Sequence, residues 1–445
     1  MKLFGTILLS SASLLTVQAA EDAKPAEETN VVVVSSDYIN RLAEEARTNN
    51  PSLRAAGSRV NAAELNAGAV RTWEDPMAMV GGSVFSGRGF DPAEEGDLAY
   101  GIEQKLPLWG KPKATRKVAE TDVSMRRAEA ELRFHELRRD ITKSLLMTAL
   151  AERVVEIGEQ DLAWLDATAK TVEARYRAGQ AVIADTLQIQ NELAKRNDML
   201  RTDRRRLAHE HLALNRLLNR DVNSPWPHLQ LPEAVPAVQF SEKLVSLGLA
   251  SEPRLKVTEQ EIKQAEAMAE LTRKMRLPDV SFGVEGKQYH GDGEFRMGLF
   301  KLGISLPWGN AGKYKKDYLR EKERQKAAEE ERRDQILMVR EQLHHLTVEI
   351  EAFRREALLY RDEITTRATQ ALSNRLTDWE TGRGTFRDVL DARRMLLESQ
   401  LMSARAVAEQ RQMVAELLLW TGLNSAEALT PLATEPSITP DHDNR

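Results

Sequence analysis

The sequence predicts a mainly α protein with a membrane β-barrel portion, built from long coiled-coil-like helical hairpins and four strands. Three observations carry this expectation. Two proline-free stretches, Lys113–Ala178 and Lys313–Glu380, far exceed the ~11–12 residues of a mean globular helix. Landmarks in the first half recur about 200 residues later. Each half also holds two short segments of strand character.

The first stretch has 66 residues, and Gly179 ends it. At about 1.5 Å per residue it would be a rod roughly 100 Å long. Leu162, Leu165, Ala169, Val172 and Tyr176 are spaced three and four apart, as a coiled-coil seam requires. In the second stretch the seam reads Leu343, Leu346, Ile350, Phe353, Ala357, Tyr360, Ile364. Composition agrees with long solvated helices: of 445 residues 29% are charged, 42% hydrophobic and only 5% aromatic. Acidic and basic residues interleave to a net charge of −5, which suits i,i+4 pairing and gives no basic patch for nucleic acid. The absence of cysteine removes disulfides, thiol chemistry and Cys-based zinc sites together.

At the N-terminus, Lys2 precedes an apolar run from Leu3 to Val17, and Val17-Gln18-Ala19 suits cleavage after Ala19 or Ala20. Residues 1–20 therefore read as a signal peptide, and 21–35 as a flexible segment. Removing Lys2 takes the net charge to −6. No later stretch has 18 continuous apolar residues, so any crossing of a bilayer must use strands.

The repeat is nearly constant in offset. Asn50-Pro51-Ser52-Leu53 answers to Glu252-Pro253-Arg254-Leu255, and Pro76 to Pro278, each 202 apart. Leu106-Pro107-Leu108-Trp109 answers to Leu306-Pro307-Trp308 at 200. Gly179 and Asp185-Thr186-Leu187 answer to Gly382 and Asp388-Val389-Leu390, and Leu217-Leu218-Asn219 to Trp420-Thr421-Gly422, at 203. The chain is a tandem duplication. The first repeat spans 36–223: a helix from Ser36 to Arg71, strands 76–86 and 98–107, the rod 113–178, and a return helix 184–218. A proline-marked linker covers 224–240. The second repeat spans 241–428: a helix from Ser241 to Met275, strands 279–288 and 295–306, the rod 313–380, and a return helix 386–419. The polar tail 429–445 reads as disordered.

The strands decide the environment. Leu98, Tyr100 and Ile102 alternate with Ala99, Gly101 and Glu103, and Val280, Phe282 and Val284 with Ser281, Gly283 and Glu285. In 295–306 the apolar parity changes near Lys301, the mark of a bulge or a membrane boundary. The loops Gly87–Asp97 and Tyr289–Glu294 are charged and Gly-rich, as external hairpin ends should be. Four strands cannot close a barrel, and open edges are not tolerated in lipid, so three copies would pool twelve. Periodicity alone leaves one alternative, a small soluble sheet capping the rods.

Several motifs resemble the TolC-type outer-membrane efflux proteins. They are Asn50-Pro51-Ser52-Leu53, the run Gln104 to Lys111, Arg177-Ala178-Gly179 with Asp185-Thr186-Leu187, and the run Gly382 to Ala392. The resemblance covers about Ser36 to Leu423 in both halves. It implies a homotrimer with a twelve-strand outer-membrane barrel and a twelve-helix tunnel through the periplasm, with no enzymatic step and no cofactor. It implies that the turns at Gly179, Gly382 and Gly384 form the periplasmic tip. There the tunnel closes and meets a periplasmic adaptor linked to an inner-membrane pump. Glycine at these reversals is also what antiparallel helices need for φ > 0. Asp388 and Asp391, i and i+3 on one helical face, are candidates for an acidic gate ring. Read locally, they are a first-turn dipole complement or part of an N-cap. The first half keeps Asp185 but has Gln188 in place of the second carboxylate. Many relatives carry a cysteine for lipid attachment after the signal peptide, and this chain has none. Leu306-Pro307-Trp308-Gly309 looks more like the heavy-metal efflux branch than the drug branch.

Other chemistry is not indicated. Gly309-Asn310-Ala311-Gly312-Lys313 has the wrong glycine spacing for a phosphate loop, and Tyr314 stands where Ser or Thr is needed. The eight histidines form no ligand set, and no serine lies in a G-x-S-x-G context. Three rivals remain: a periplasmic adaptor, a filamentous coiled coil and a secreted hydrolase. An adaptor would show one hairpin and several β-domains; a filament would lack the strand pairs; a hydrolase would need a nucleophile or acid–base pair.

Overall fold

Asn50-Pro51 and Glu252-Pro253 each divide what periodicity reads as one helix. The residue before proline avoids the α region, and Asn50 (ψ 125°) and Glu252 (ψ 123°) are extended accordingly. Each then caps the helix that follows. Asn50 Oδ1 accepts from Ser52 N–H at 2.8 Å, and Glu252 Oε2 accepts from Leu255 N–H at 2.6 Å. The computed structural model describes residues 31–82, 97–289 and 293–432. The expected signal peptide, residues 21–30 of the flexible segment, residues 83–86 of the expected strand 76–86, most of the two external loops and the tail beyond 432 lie outside these.

The first repeat runs β1 (Val31–Val33), α1 (Ser36–Asn49), α2 (Pro51–Ala69), β2 (Met77–Gly82), β3 (Asp97–Leu106), α3 (Lys111–Arg177) and α4 (Ile183–Leu218). After β4 (His228–Gln230) in the linker, the second runs α5 (Glu242–Ser251), α6 (Pro253–Lys274), β5 (Val280–Tyr289) and β6 (Phe295–Ile304). It ends with α7 (Ala311–Leu358), α8 (Thr365–Glu380) and α9 (Phe386–Thr421). The rod α3 has 67 residues and begins with Pro112 in its first turn, where a missing N–H costs nothing. Near the sheet the helices pack in the order α2-α3-α6-α7. Toward the far end α4, α3, α9 and α8 form the wall. Return and entry helices meet end to end. Asn50 Nδ2 donates to Leu217 O at 2.7 Å at the first joint, and Arg254 lies 4.9 Å over the Trp420 ring at the second.

Two cores fill the girdle at these joints, one around Ile141, Leu145, Leu214 and Leu229, the other around Leu244, Leu343, Ile350 and Leu417. A third, at the far tip, is shared by both repeats and includes Leu165, Val172, Ile189, Trp379, Phe386 and Val389.

The strands β2-β3-β5-β6 form one antiparallel sheet. Its register puts Val80, Tyr100, Ile102, Phe282, Val284, Phe300, Leu302 and Ile304 on one face, all exposed. Glu103, Lys105, Glu285, Lys287 and Lys301 lie on the other face, where Lys301 pairs with Glu285. One face suits hydrocarbon and the other water.

Several expectations are corrected. Val31–Val33, inside the stretch read as flexible, pair in parallel with His228–Gln230, whose Leu229 is buried in the first core against α3. The linker thus carries a strand, held by Glu152, whose carboxylate accepts from Leu229 N–H and lies 2.7 Å from His228 Nδ1. A 3-10 turn, Glu427–Leu432, runs from the second repeat into the first residues of the tail read as disordered from 429, since Leu429 enters the second core. The second rod runs on from Ala311 to Glu380 but is not α-helical throughout: Leu359–Ile364 form a π turn. Arg361, Asp362 and Glu363 are consecutive and charged there, and the wide turn leaves all three exposed. The buried seam of α3 near its end is Asp161, Leu165, Thr168 and Val172, whereas Tyr176 is exposed. Strand β6 is regular through Lys301. The register shift lies at Lys287/Gln288, where Arg296 is the extra residue of a bulge.

Burial pushes the Glu252 carboxyl above its ordinary range, against the pull of the Leu255 and Arg254 N–H groups. A raised folded value stabilises only at low pH, and the contribution is lost as pH rises through that value. Glu252→Gln, which keeps an acceptor at the cap, should therefore melt at the same or a higher temperature than wild type at pH 7. The difference should vanish near pH 4, as read by scanning calorimetry.

Candidate functional site at the helical tip

Both rods reverse through the same hydrogen-bond pattern. At the first tip, Gln180 N–H donates to Arg175 O at 2.8 Å and Gly179 N–H to Tyr176 O at 3.0 Å. At the second, Arg383 N–H donates to Asp378 O at 2.7 Å and Gly382 N–H to Trp379 O at 3.1 Å. These are paired Schellman closures, and each requires a left-handed residue that only glycine adopts cheaply. Gly179 and Gly382 both have φ +74°. Gly384 has ordinary φ but is tight, since an added Cβ would come 3.1 Å from Asp378 Cβ.

The two candidate gate carboxylates have different surroundings. Asp388 closes a capping box: Asp388 N–H donates to Thr385 Oγ1 at 3.3 Å, and Asp388 Oδ2 accepts from Thr385 N–H at 3.2 Å. The Thr385 hydroxyl and N–H hold the Asp388 carboxyl below the usual carboxylate range. Asp391 is half-exposed and lies between Arg394 (2.9 Å) and Arg387 (3.9 Å). Arg394 also bonds Glu192 on α4 at 2.5 Å. For Glu192 burial acts upward, but Arg394 and Lys195 outweigh it and hold its carboxyl low. The structure therefore places Asp388 and Asp391 on one turn of α9 but joins only Asp391 to the neighbouring hairpin.

A buried cluster lies further up the wall. Asp161 of α3 receives Arg196 Nε of α4 and Arg393 Nε of α9, each at 2.7 Å. Arg393 also stacks 4.8 Å over the Trp164 ring. One carboxylate thus ties three helices from both repeats. At the tip itself Arg175 lies 4.4 Å over Trp379, which packs 5.2 Å from Phe386. Motif reading missed the cluster. Its one sequence signal is an aspartate at a position four residues before the seam residue Leu165. A groove of about 940 Å³ lies between α4 and α9 here, floored by Met147, Leu150 and Val154 of α3. Among the described residues no group of His, Asp or Glu side chains could hold a metal ion, and no helix is long and apolar enough to cross a membrane.

Removing the shared anion leaves two guanidinium groups facing each other, largely out of water. Asp161→Ala should cost about 3–5 kcal/mol locally. Hydrogen exchange should then rise in 157–168 and 389–397 while the girdle is unchanged. Gly382→Ala, forced to hold φ +74°, should destabilise the second turn by about 1 kcal/mol. The same protection measurement at 380–386 reads that loss.

Residues 42–220 and 244–423 match the model of the outer membrane efflux protein family, one match per repeat. No curated protein matches the sequence. Solved structures share the fold. The Vibrio cholerae outer membrane protein VceC is 19% identical, with 87% of this chain and 96% of that one covered at a TM-score of 0.72. The Campylobacter jejuni CmeC outer membrane channel is 12% identical, covering 97% and 98% at 0.73. The open state of the Neisseria gonorrhoeae MtrE outer membrane channel is 19% identical, covering 87% and 89% at 0.68. With the family model matched once in each repeat, over most of its length, the chain belongs to the outer membrane efflux protein family.

Proposed function

We propose that three copies of this chain close a twelve-strand barrel over a twelve-helix tunnel and conduct substrate passively out of the cell. The supporting observation is the sheet: one apolar face, one charged face, and outer edges of β2 and β6 that have no partner among the described residues. Lipid does not tolerate such edges. Because β2 and β6 run in opposite directions, the β6 of one copy can continue into the β2 of the next as an antiparallel pair. Two copies would give eight strands, a barrel whose interior side chains fill. Three is the smallest number that leaves a conduit.

The tip turns at Gly179, Gly382 and Gly384 are the adaptor-docking end of a tripartite assembly with a periplasmic adaptor and an inner-membrane pump. The exposed Val182, Ile183 and Leu187 beside the first turn support an interface there. The gate is an acidic ring with Asp391 as its exposed member, and Asp388 holds the turn that presents it. The cargo is heavy-metal ions or small toxic molecules, a choice supported by the Leu306-Pro307-Trp308-Gly309 junction. The chain itself carries out no catalytic step.

Unheated protein should migrate as a trimer on a denaturing gel and as a monomer after boiling. In planar bilayers Asp391→Ala should raise single-channel conductance or weaken block by divalent cations, while Asp388→Ala should act mainly by loosening residues 385–390. A water-soluble monomer that forms no channels would refute the reading.

A further inference from the structure

Directly beneath the sheet, three stretches carry cations and no acid: Lys-Pro-Lys-Ala-Thr-Arg-Lys at 111–117, Arg-Lys-Met-Arg at 273–276 and Lys-Tyr-Lys-Lys at 313–316. The fold brings them to one level, because α3 and α7 begin where α6 ends and α6 packs between them. Lys111 Nζ donates to Leu277 O at 2.7 Å, and Lys274 Nζ to Gly110 O at 3.4 Å, which pins the level. Neighbouring acids answer four of the cations: Lys111 meets Asp279, Arg116 meets Glu120, and Lys117 and Lys274 meet Glu270. Arg273 also acts on Glu270, whereas Lys113, Arg276, Lys313, Lys315 and Lys316 are exposed and form no salt bridge among the described residues.

The surface above them is apolar and ends in indoles. The outward row Phe300, Leu302, Ile304, Leu306 stays exposed down to Trp308, and Trp73 and Trp109 are exposed at the same junction. Trp109 holds φ +62°, a left-handed conformation that is costly for a bulky residue. That cost is borne at the position where an indole meets the edge of the apolar band. Tryptophan favours the membrane–water interface, and clustered Lys and Arg beside a membrane segment attract anionic headgroups. A soluble anion would match the cations but would have no use for the band and the indoles. An amphiphile with a negative headgroup matches all three.

We propose that this junction is a binding collar for acidic phospholipids, whose headgroup phosphates sit on the unpaired cations and fix the depth of the sheet in the bilayer. The collar rests on the membrane-barrel reading and adds to it a lipid preference. The test uses the full-length protein reconstituted in an equal mixture of phosphatidylglycerol and phosphatidylcholine, with retained lipids counted by native mass spectrometry after partial delipidation. Wild type should retain phosphatidylglycerol over phosphatidylcholine by about ten-fold or more. The triple variant Lys313→Gln, Lys315→Gln, Lys316→Gln should lose most of that preference while still assembling, and the triple arginine variant should keep it. The collar is refuted if wild type retains both lipids in bulk proportion, or if the glutamine variant keeps the preference. It is refuted equally if that variant falls apart into single chains with its preference intact, since the cations would then serve a neighbouring copy. Failure of wild type to enter the bilayer at all would remove the barrel reading together with the collar.

Discussion

The constraint beneath the rest of this structure is that backbone N–H and C=O groups in lipid must all be paired. Among the described residues a single chain pairs both edges of β3 and β5 but only one edge each of β2 and β6. In the assembly proposed above, association closes those edges and sets the width of everything below. Four tilted strands occupy about 25 Å of a barrel circumference, whereas four packed helices occupy about 40 Å. In the proposed assembly that difference falls where strand becomes rod. There, at Leu106–Gly110 and Leu306–Asn310, 3-10 turns at Leu108–Gly110 and Pro307–Asn310 replace a direct continuation.

Duplication supplied two copies of each device, and the copies have diverged in informative places. The left-handed C-caps of the return helices are Asn219 in one repeat and Gly422 in the other. The helix entries use Asn50 and Glu252 for one task, although the second is an acid buried against its own preference. At the tips the turns are alike, but the capping box belongs to the second repeat, and the first cap, Val182, makes no side-chain bond. The second hairpin is packed into a core by Phe386 and Val389, whereas the first leaves Val182, Ile183 and Leu187 outward. Equal scaffolds thus present unequal ends.

Much of this was legible in the sequence because the signals are local. Rods, glycine turns, proline entries and strand alternation each depend on a few neighbouring residues, and duplication repeated every signal. What was hidden depends on distant partners. The pairing of three valines near residue 32 with the linker needs a residue almost 200 positions away. The Asp161 cluster joins α3 to Arg393, 232 residues further on, and it sits in a seam that heptad reading fills with apolar residues. The bulge at Arg296 was misplaced because parity reports which face is apolar without reporting where the extra residue lies. Net charge likewise averaged away a cationic belt that exists only where three separate segments meet.

The π turn at Leu359–Ile364 carries a mechanical consequence. It falls between the girdle core, which ends near Ile350, and the tip core, which on this helix starts at Ala368. Such a turn holds one residue more than an α turn. Tightening it would rotate α8 by about 100° and advance it by about 1.5 Å. The first repeat, with 67 residues in unbroken register, has no equivalent joint. Two halves of common ancestry therefore differ in compliance, one a stiff column and the other a column with a swivel.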